Sequence, residues 1–320
     1  MPSKERLFNA KVEEFLELKR SQRRSPQTIK DYRWLLMKTT RTMQEGGREL
    51  NPKRWTKDDV NWIRDHAYAH LEPGVARRQF SILSDFAAFC GNTVIKDMKM
   101  EWPKDRRIHV DWLTPQEAVQ VMELTEGIER IIIHLQLCLG LRRVEVLRMK
   151  VSDISLGYVN ILGKGRLGGK RRTSPFHRDT AAELSHYHRI REAEISKARR
   201  KNPDVIVPDS LLIYERAGQL HAYKRSFVDK VVARVSEKLG RKFTNHTLRR
   251  TFGRLLWLAG VPLETIKEIL GHEDTKTTIL YLGLNMDDKA DAMSKLADYT
   301  DALKRAKTDE ASIRSGQSGI

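Results

Sequence analysis

The longest apolar stretch of the chain, Ile131 to Leu141, constrains its fold more than any other feature. It overlaps a nearly all-apolar helical segment, Ile128 to Leu139, and a helix that is apolar on every side predicts burial all round. The stretch contains His134 and Gln136 and falls well short of the roughly 20 residues that span a bilayer, so it belongs in a protein core rather than a membrane. It delivers Arg142 at its end. Upstream, Thr114-Pro115-Gln116-Glu117 restarts a helix with a threonine cap, proline at the first helical position and a glutamate three residues after the cap.

At 320 residues the chain has room for two cored domains. Its first hundred residues read as a helical bundle. Phe8, Val12, Phe15 and Leu16 recur at helical spacing, and Ser25-Pro26 opens a second helix in which Ile29, Tyr32, Leu35 and Leu36 share a face. Helices around Asp58 to His70 and Val75 to Phe89 complete the bundle. Between Lys96 and Trp112 the period lapses, with Pro103 before Lys104-Asp105-Arg106-Arg107. Beyond this linker, Met149 to Ile154 and Gly157 to Leu162 read as short strands and Lys170 to Phe176 as a third. Thr180 to Tyr299 reads as helical again, punctuated by Gly260-Val261-Pro262 and Gly271. The expected fold is mainly α with a small β-sheet (α+β). It has a helical domain at 1–100, a linker at 101–112, a mixed domain at 113–300 and a frayed tail at 301–320.

The turn Gly163-Lys164-Gly165-Arg166-Leu167-Gly168-Gly169-Lys170-Arg171-Arg172 holds four glycines and five basic residues and no acid. It is not a nucleotide-binding P-loop: Lys164 stands where the first glycine belongs, and Arg171 stands where Ser or Thr is needed. It reads as a basic hairpin. No metal site is expected: His66 and His70 share a helical face, but Ala67 breaks the zinc-protease pattern, and His186 and His188 are two apart. Cys90 and Cys138 lie among apolar neighbours and read as reduced core thiols of a cytosolic protein. No signal peptide is evident at Met1 to Lys11. With 59 Lys plus Arg against 42 Asp plus Glu, the net charge is +17, a surface suited to a polyanion.

The chemistry-bearing residues come in order along the second half. Gly140-Leu141-Arg142-Arg143-Val144-Glu145 supplies Arg142, Gly163-Lys164-Gly165 supplies Lys164, and Asn245-His246-Thr247-Leu248-Arg249 supplies His246 and Arg249. Leu270-Gly271-His272 adds His272, and Tyr281 follows nine residues later. A phenol with an ordinary pKa near 10 is a weak nucleophile unless its proton is accepted or cations favour the phenolate. Guanidinium groups stay charged at any working pH and grip two phosphate oxygens in fork geometry, so Arg142 and Arg249 suit charge gathering at phosphorus. His246 and Arg249, three apart, share a helical face. Glu145, three from Arg142, is placed to orient it.

The set Arg142, Lys164, His246, Arg249, His272 and Tyr281 closely resembles the catalytic set of the tyrosine recombinases, the phage-integrase and Xer-like family. The Tyr281-Leu282-Gly283-Leu284-Asn285 stretch is similar in style to archaeal integrases. The resemblance covers about Leu113 to Asp298 well, and residues 1–100 more loosely resemble the family's core-binding domain. It implies that Tyr281 attacks a scissile phosphate, leaving a 3′-phosphotyrosine link and a free 5′ hydroxyl. His246 then helps accept the Tyr281 proton, His272 hydrogen-bonds a non-bridging oxygen, and Lys164 protonates the departing oxygen.

The same resemblance implies no cofactor, metal or ATP. Its partners are double-stranded DNA with specific recombination sites and a homo-tetramer assembled on that DNA, in the cytoplasm or on the nucleoid and away from any membrane. Arg166, Lys170, Arg171 and Arg172 are the expected DNA contacts. The short tether from His272 to Tyr281 favours attack within one protomer. Two rivals are a type IB topoisomerase, which usually carries lysine where His246 stands, and a DNA-binding protein that has lost catalysis.

Overall fold

Prolines and short polar caps set where the helices of the first unit begin. The structure is a computed structural model that describes residues 4–103, 110–163, 169–283, 288 and 294. Helix α1 (Lys4–Ser21) buries Phe8, Val12, Phe15 and Leu16. Helix α2 (Pro26–Glu45) starts at Ser25, whose hydroxyl accepts the Thr28 N–H at 3.1 Å, and buries Ile29, Leu35, Leu36 and Met43. A Thr56–Asp59 capping box opens α3 (Lys57–Ile63), which widens into one π-helical turn over Arg64–Tyr68. Helix α4 (Pro73–Phe89) and the short α5 (Val94–Asp97) complete the unit. Phe86 lies at its centre, edge-on to Phe8 at 5.4 Å and to Phe15 at 5.3 Å.

The second unit, His109–Gly163 and Lys170–Ile320, is built round the apolar helix. Helix α6 (Pro115–Glu123) carries the expected capping box, with Glu117 accepting the Thr114 N–H at 2.7 Å. Helix α7 (Gly127–Leu137) buries Ile131, Ile132, Ile133 and Leu135 completely. After α8 (Arg143–Arg148) comes an antiparallel three-stranded sheet, β1 (Ile154–Ser155), β2 (Tyr158–Leu162) and β3 (Arg171–Pro175). Helix α9 (Arg178–Lys201) and the hairpin β4 (Ile213–Arg216) and β5 (Gln219–Ala222) follow. The chain closes with α10 (Arg225–Lys238), α11 (Asn245–Leu258), α12 (Leu263–Leu270) and α13 (Thr275–Leu282). Helix α7 touches α6, α8, α9, α10 and α11, as a segment apolar on every side must.

Two sequence expectations change. Met149 to Ile154 is not a strand throughout: the Asp153 carboxylate caps the Lys150 N–H at 2.9 Å and winds Val151–Asp153 into a 3₁₀ turn, leaving Lys150 in an isolated bridge to Ser210 and Ile154 and Ser155 to pair with the next strand. The span from Thr180 is not helical throughout either. β4 and β5 form a hairpin whose turn places Ala217 and Gly218 at φ 52° and 76°, and Ile213 and Leu220 pack with Ile195 and Ala198 of α9 in a small separate core. The expected tail at 301–320 and half of the linker, residues 104–109, lie outside the described residues.

Candidate active site

Three chain reversals bring the motif residues together. Gly140, two residues past the Cys138 cap of α7, is left-handed (φ 62°), and a Cβ there would also lie 2.3 Å from Phe252 Cδ1. Arg142 is therefore not the last residue of the buried helix. It leaves the turn extended and becomes the N-cap of α8, its amide donating to Glu145 Oε2 at 2.8 Å. The Glu145 side chain is fully buried. Its Oε1 accepts Arg142 Nη1 at 2.8 Å and Arg172 Nη1 at 3.0 Å, and its Oε2 also accepts Arg172 Nη2 at 3.0 Å. Burial alone would raise this carboxyl, but the bonds and charge of Arg172, the Arg142 amide and the Arg249 charge hold it down to about 2.

Arg249 projects from the first turns of α11, whose start is fixed by a Thr244–Thr247 capping box. Its side chain is 1% exposed. Nη1 donates to Gly140 O at 2.6 Å and lies 3.5 Å from Glu145 Oε2, and Nη2 donates to Leu270 O. Burial, and then the neighbouring charge of Arg142, bring this guanidinium down to about 10, which leaves it charged at neutral pH. Three successive carbonyls at the end of α12 are taken by three arginines: Ile269 O by Arg172 Nε at 3.0 Å, Leu270 O by Arg249, and Gly271 O by Arg142 Nη2 at 3.4 Å. A helix C-terminus has unsatisfied carbonyls and the negative end of the dipole, so it gathers cations.

Gly271, left-handed at φ 62°, turns the chain out of α12 and places His272 beside Arg249. Arg249 Nη2 lies 3.4 Å from His272 Nε2, and His272 Nδ1 lies 3.0 Å from the buried Thr278 hydroxyl. Burial first, then the charges of Arg249, Arg142 and Arg172, push the imidazole down to about 4, so the ring is neutral at pH 7. The contacts serve either neutral tautomer: with Arg249 donating to Nε2 the ring proton sits on Nδ1 and faces Thr278, and with the Thr278 hydroxyl donating to Nδ1 it sits on Nε2. The motifs did not point to Thr278. Its only signal in the sequence is its place three residues before Tyr281, on the same helical face.

Tyr281 lies near the end of α13, which is held against its own unit by Leu282, packed with Ile266 and Leu270. Gly283 then turns the chain at φ 62°, where a Cβ would lie 2.8 Å from Trp112 Cζ3 and 2.9 Å from Val110 Cβ. The Tyr281 ring stands edge-on to His272 at 4.9 Å and to His246 at 6.4 Å. The guanidinium carbons of Arg249 and Arg250 lie 6.0 Å and 5.5 Å from its centroid. Its hydroxyl is buried and makes no hydrogen bond of normal geometry among the described residues. Burial raises the phenol above its ordinary value, against the pull of Arg249 and Arg250.

Arg142, Glu145, His246, Arg249, His272 and Tyr281 thus converge on one site. Lys164 and Arg166 lie outside the described residues. Of the expected DNA contacts, Arg171 is exposed and Lys170 pairs with Glu273 at 2.5 Å. Arg172 instead turns inward. Ile161, opposite it in the sheet, is buried, and the two-residue period of β3 sends Arg172 and Ser174 to the inner face.

The sequence model of the phage integrase family matches residues 111–288. The chain is 29% identical over 230 residues to a tyrosine recombinase of Pseudothermotoga lettingae, covering 68% of this chain and 73% of that one. It is 26% identical to tyrosine recombinase XerC of Vibrio campbellii, covering 92% of each. Among solved structures, it shares its fold with XerH site-specific recombinase bound to a palindromic difH substrate (TM-score 0.64, 19% identity, 83% of this chain and 79% of that one). It shares it also with a lambda integrase dimer bound to a COC′ core site (TM-score 0.62, 17% identity, 86% and 94%).

Proposed function

The chain belongs to the phage integrase family, and from that premise we propose that it is a site-specific DNA recombinase that cuts and rejoins duplex DNA through a 3′-phosphotyrosine intermediate. Tyr281 attacks the scissile phosphorus and its proton passes toward His246. Arg142 and Arg249 bind the non-bridging oxygens as negative charge gathers there. His272 donates a hydrogen bond to one of those oxygens. This needs the tautomer with the proton on Nε2, which the Thr278 hydroxyl supports by donating to Nδ1. Lys164 protonates the 5′ oxygen as it leaves. The phosphotyrosine ester keeps the energy of the broken bond, so rejoining needs no ATP, and the two arginines supply the charge that a metal ion would otherwise bring.

Tyr281 acts within its own protomer, since α13 is packed on the same unit that holds Arg249. The working species is a tetramer on two DNA sites. Similarity to a lambda integrase tetramer bound to a Holliday junction supports this assembly (TM-score 0.62, 16% identity, 85% of this chain and 76% of that one). No helix among the described residues is long and apolar enough to cross a membrane. The protein works on DNA in the cytoplasm, at the nucleoid.

One observation carries the reading: a buried tyrosine hydroxyl, with no hydrogen bond of normal geometry among the described residues, stands beside a buried arginine and two histidine rings. Incubation with a suicide substrate nicked near its site tests it on a denaturing gel. The wild type gives a covalent protein–DNA band, and Tyr281→Phe binds the same DNA without one. A band from Tyr281→Phe overturns the assignment.

A further inference from the structure

Arg172 has the look of a DNA contact in the sequence and a different set of partners in the structure. Its side chain is 13% exposed, and all three of its nitrogens are engaged within the protein. Nη1 and Nη2 donate in parallel to the two Glu145 oxygens, each at 3.0 Å, and Nε donates to Ile269 O at 3.0 Å. Two motif glycines make room for it. A Cβ at Gly271 would lie 3.0 Å from Arg172 Cδ, and one at Gly163 would lie 3.1 Å from Lys170 O and 3.5 Å from Glu145 Oε1.

We propose, building on the recombinase reading above, that Arg172 is a positioning residue that saturates Glu145 and so keeps the carboxylate from drawing Arg249 out of the place from which it meets the scissile phosphate. Glu145 is fully buried among three guanidinium groups and needs cationic partners. Arg142 alone satisfies one side of the carboxylate. Without Arg172, Oε2 keeps only the Arg142 amide, and Arg249 Nη1, 3.5 Å away, is the nearest cation among the described residues able to replace the lost fork. A carboxylate closing on Arg249 competes with the phosphate for that side chain and draws it off Gly140 O. Arg172 prevents this by holding Glu145 in a bidentate fork, which only a planar guanidinium provides. Its Nε bond to Ile269 O ties the same fork to the helix end that presents His272.

The test uses the full-length protein and four variants: Arg172→Met, Arg172→Lys, Glu145→Gln and the double Arg172→Met/Glu145→Gln. Arg172→Met is expected to slow single-turnover cleavage about tenfold to a hundredfold, the scale of a small misplacement of reacting groups. Its affinity for an uncleavable site and its salt dependence stay at wild-type values. Arg172→Lys restores part of the rate. The double variant is no slower than Glu145→Gln, because the group Arg172 restrains is no longer charged.

Weakened binding with a salt slope lower by about 0.9 marks a direct phosphate contact and overturns the proposal. So does a double variant whose loss is the product of the two single losses. Hydrogen–deuterium exchange reads the same inference without activity: Arg172→Met loosens the peptides holding Arg142 to Glu145 and Ile269 to His272, while the rest of the unit keeps its protection. Unchanged exchange in those peptides also overturns it. If the wild type makes no adduct while this loosening is seen, the recombinase reading fails and the positioning role stands. If the wild type makes its adduct and Arg172→Met cleaves at the wild-type rate, the recombinase reading stands and the positioning role fails.

Discussion

Replacing Arg249 by alanine should damage stability and chemistry together, because one buried guanidinium serves both. It donates to Gly140 O and Leu270 O, which belong to segments more than a hundred residues apart in sequence. Leaving a buried carbonyl without a donor costs about 1–3 kcal/mol, and water reaching one of the two trims the upper end, for a total of about 2–5 kcal/mol. In a unit of this size each kcal/mol moves the melting temperature by roughly 2–4 °C, so Arg249→Ala should melt about 4–20 °C below wild type. Cleavage should fall by about two to three orders of magnitude, the scale for removing one donor to a developing oxyanion. Arg249→Lys keeps the charge but loses the fork, and should recover part of the stability and little of the rate. Calorimetry and single-turnover cleavage below the mutant's melting point read the two effects separately. An Arg249→Ala protein that melts with the wild type, or cleaves within threefold of it, refutes the reasoning.

Three further outcomes follow from the same site. Glu145 titrates near 2 in the folded protein against an ordinary value of 4.5, so its stabilising effect is present above about 4.5 and is lost as pH falls from there toward 2. Urea melts of wild type and Glu145→Gln should therefore differ at pH 7 and converge near pH 2–3, and a gap that stays constant with pH contradicts the buried ion-pair assignment. Lys164→Ala should regain cleavage on a 5′-phosphorothiolate site, since sulfur leaves without protonation, and equal defects on both substrates place Lys164 elsewhere in the mechanism. A mixture of Tyr281→Phe and Arg249→Ala should stay inactive on a half-site, because neither protomer holds a complete pocket, whereas restored cleavage shows that the tyrosine is donated to a neighbour.

Much of this site is legible in the sequence because its residues are unusual types in a fixed order. Arg142, His246, Arg249, His272 and Tyr281 all stand out from their motifs, and the Thr114–Glu117 and Ser25–Pro26 starts are local signals that the folded chain obeys. What stays hidden depends on partners distant in sequence. Arg172 is one of five basic residues in its turn, and only the register of β3 against Val159 and Ile161 tells it from Arg171. That clue is present, since alternation over Lys170 to Phe176 puts Arg172 and Ser174 on one face. The β4–β5 hairpin escapes notice because each strand has four residues and its turn is Ala217-Gly218, without the asparagine or aspartate that usually marks such a turn. That Arg142 follows the buried helix is readable, but a glycine after an apolar run does not reveal from sequence that it will adopt φ 62° and send Arg142 on to cap α8.

The most direct test is to find the atom that carries the DNA. Wild-type protein trapped on a nicked suicide site, digested with protease and nuclease and sequenced by mass spectrometry, should carry the nucleotide on the Tyr281 phenol, joined through a 3′ phosphate. A nucleotide on another tyrosine such as Tyr223 or Tyr299, on a serine, or joined through a 5′ phosphate would contradict the account.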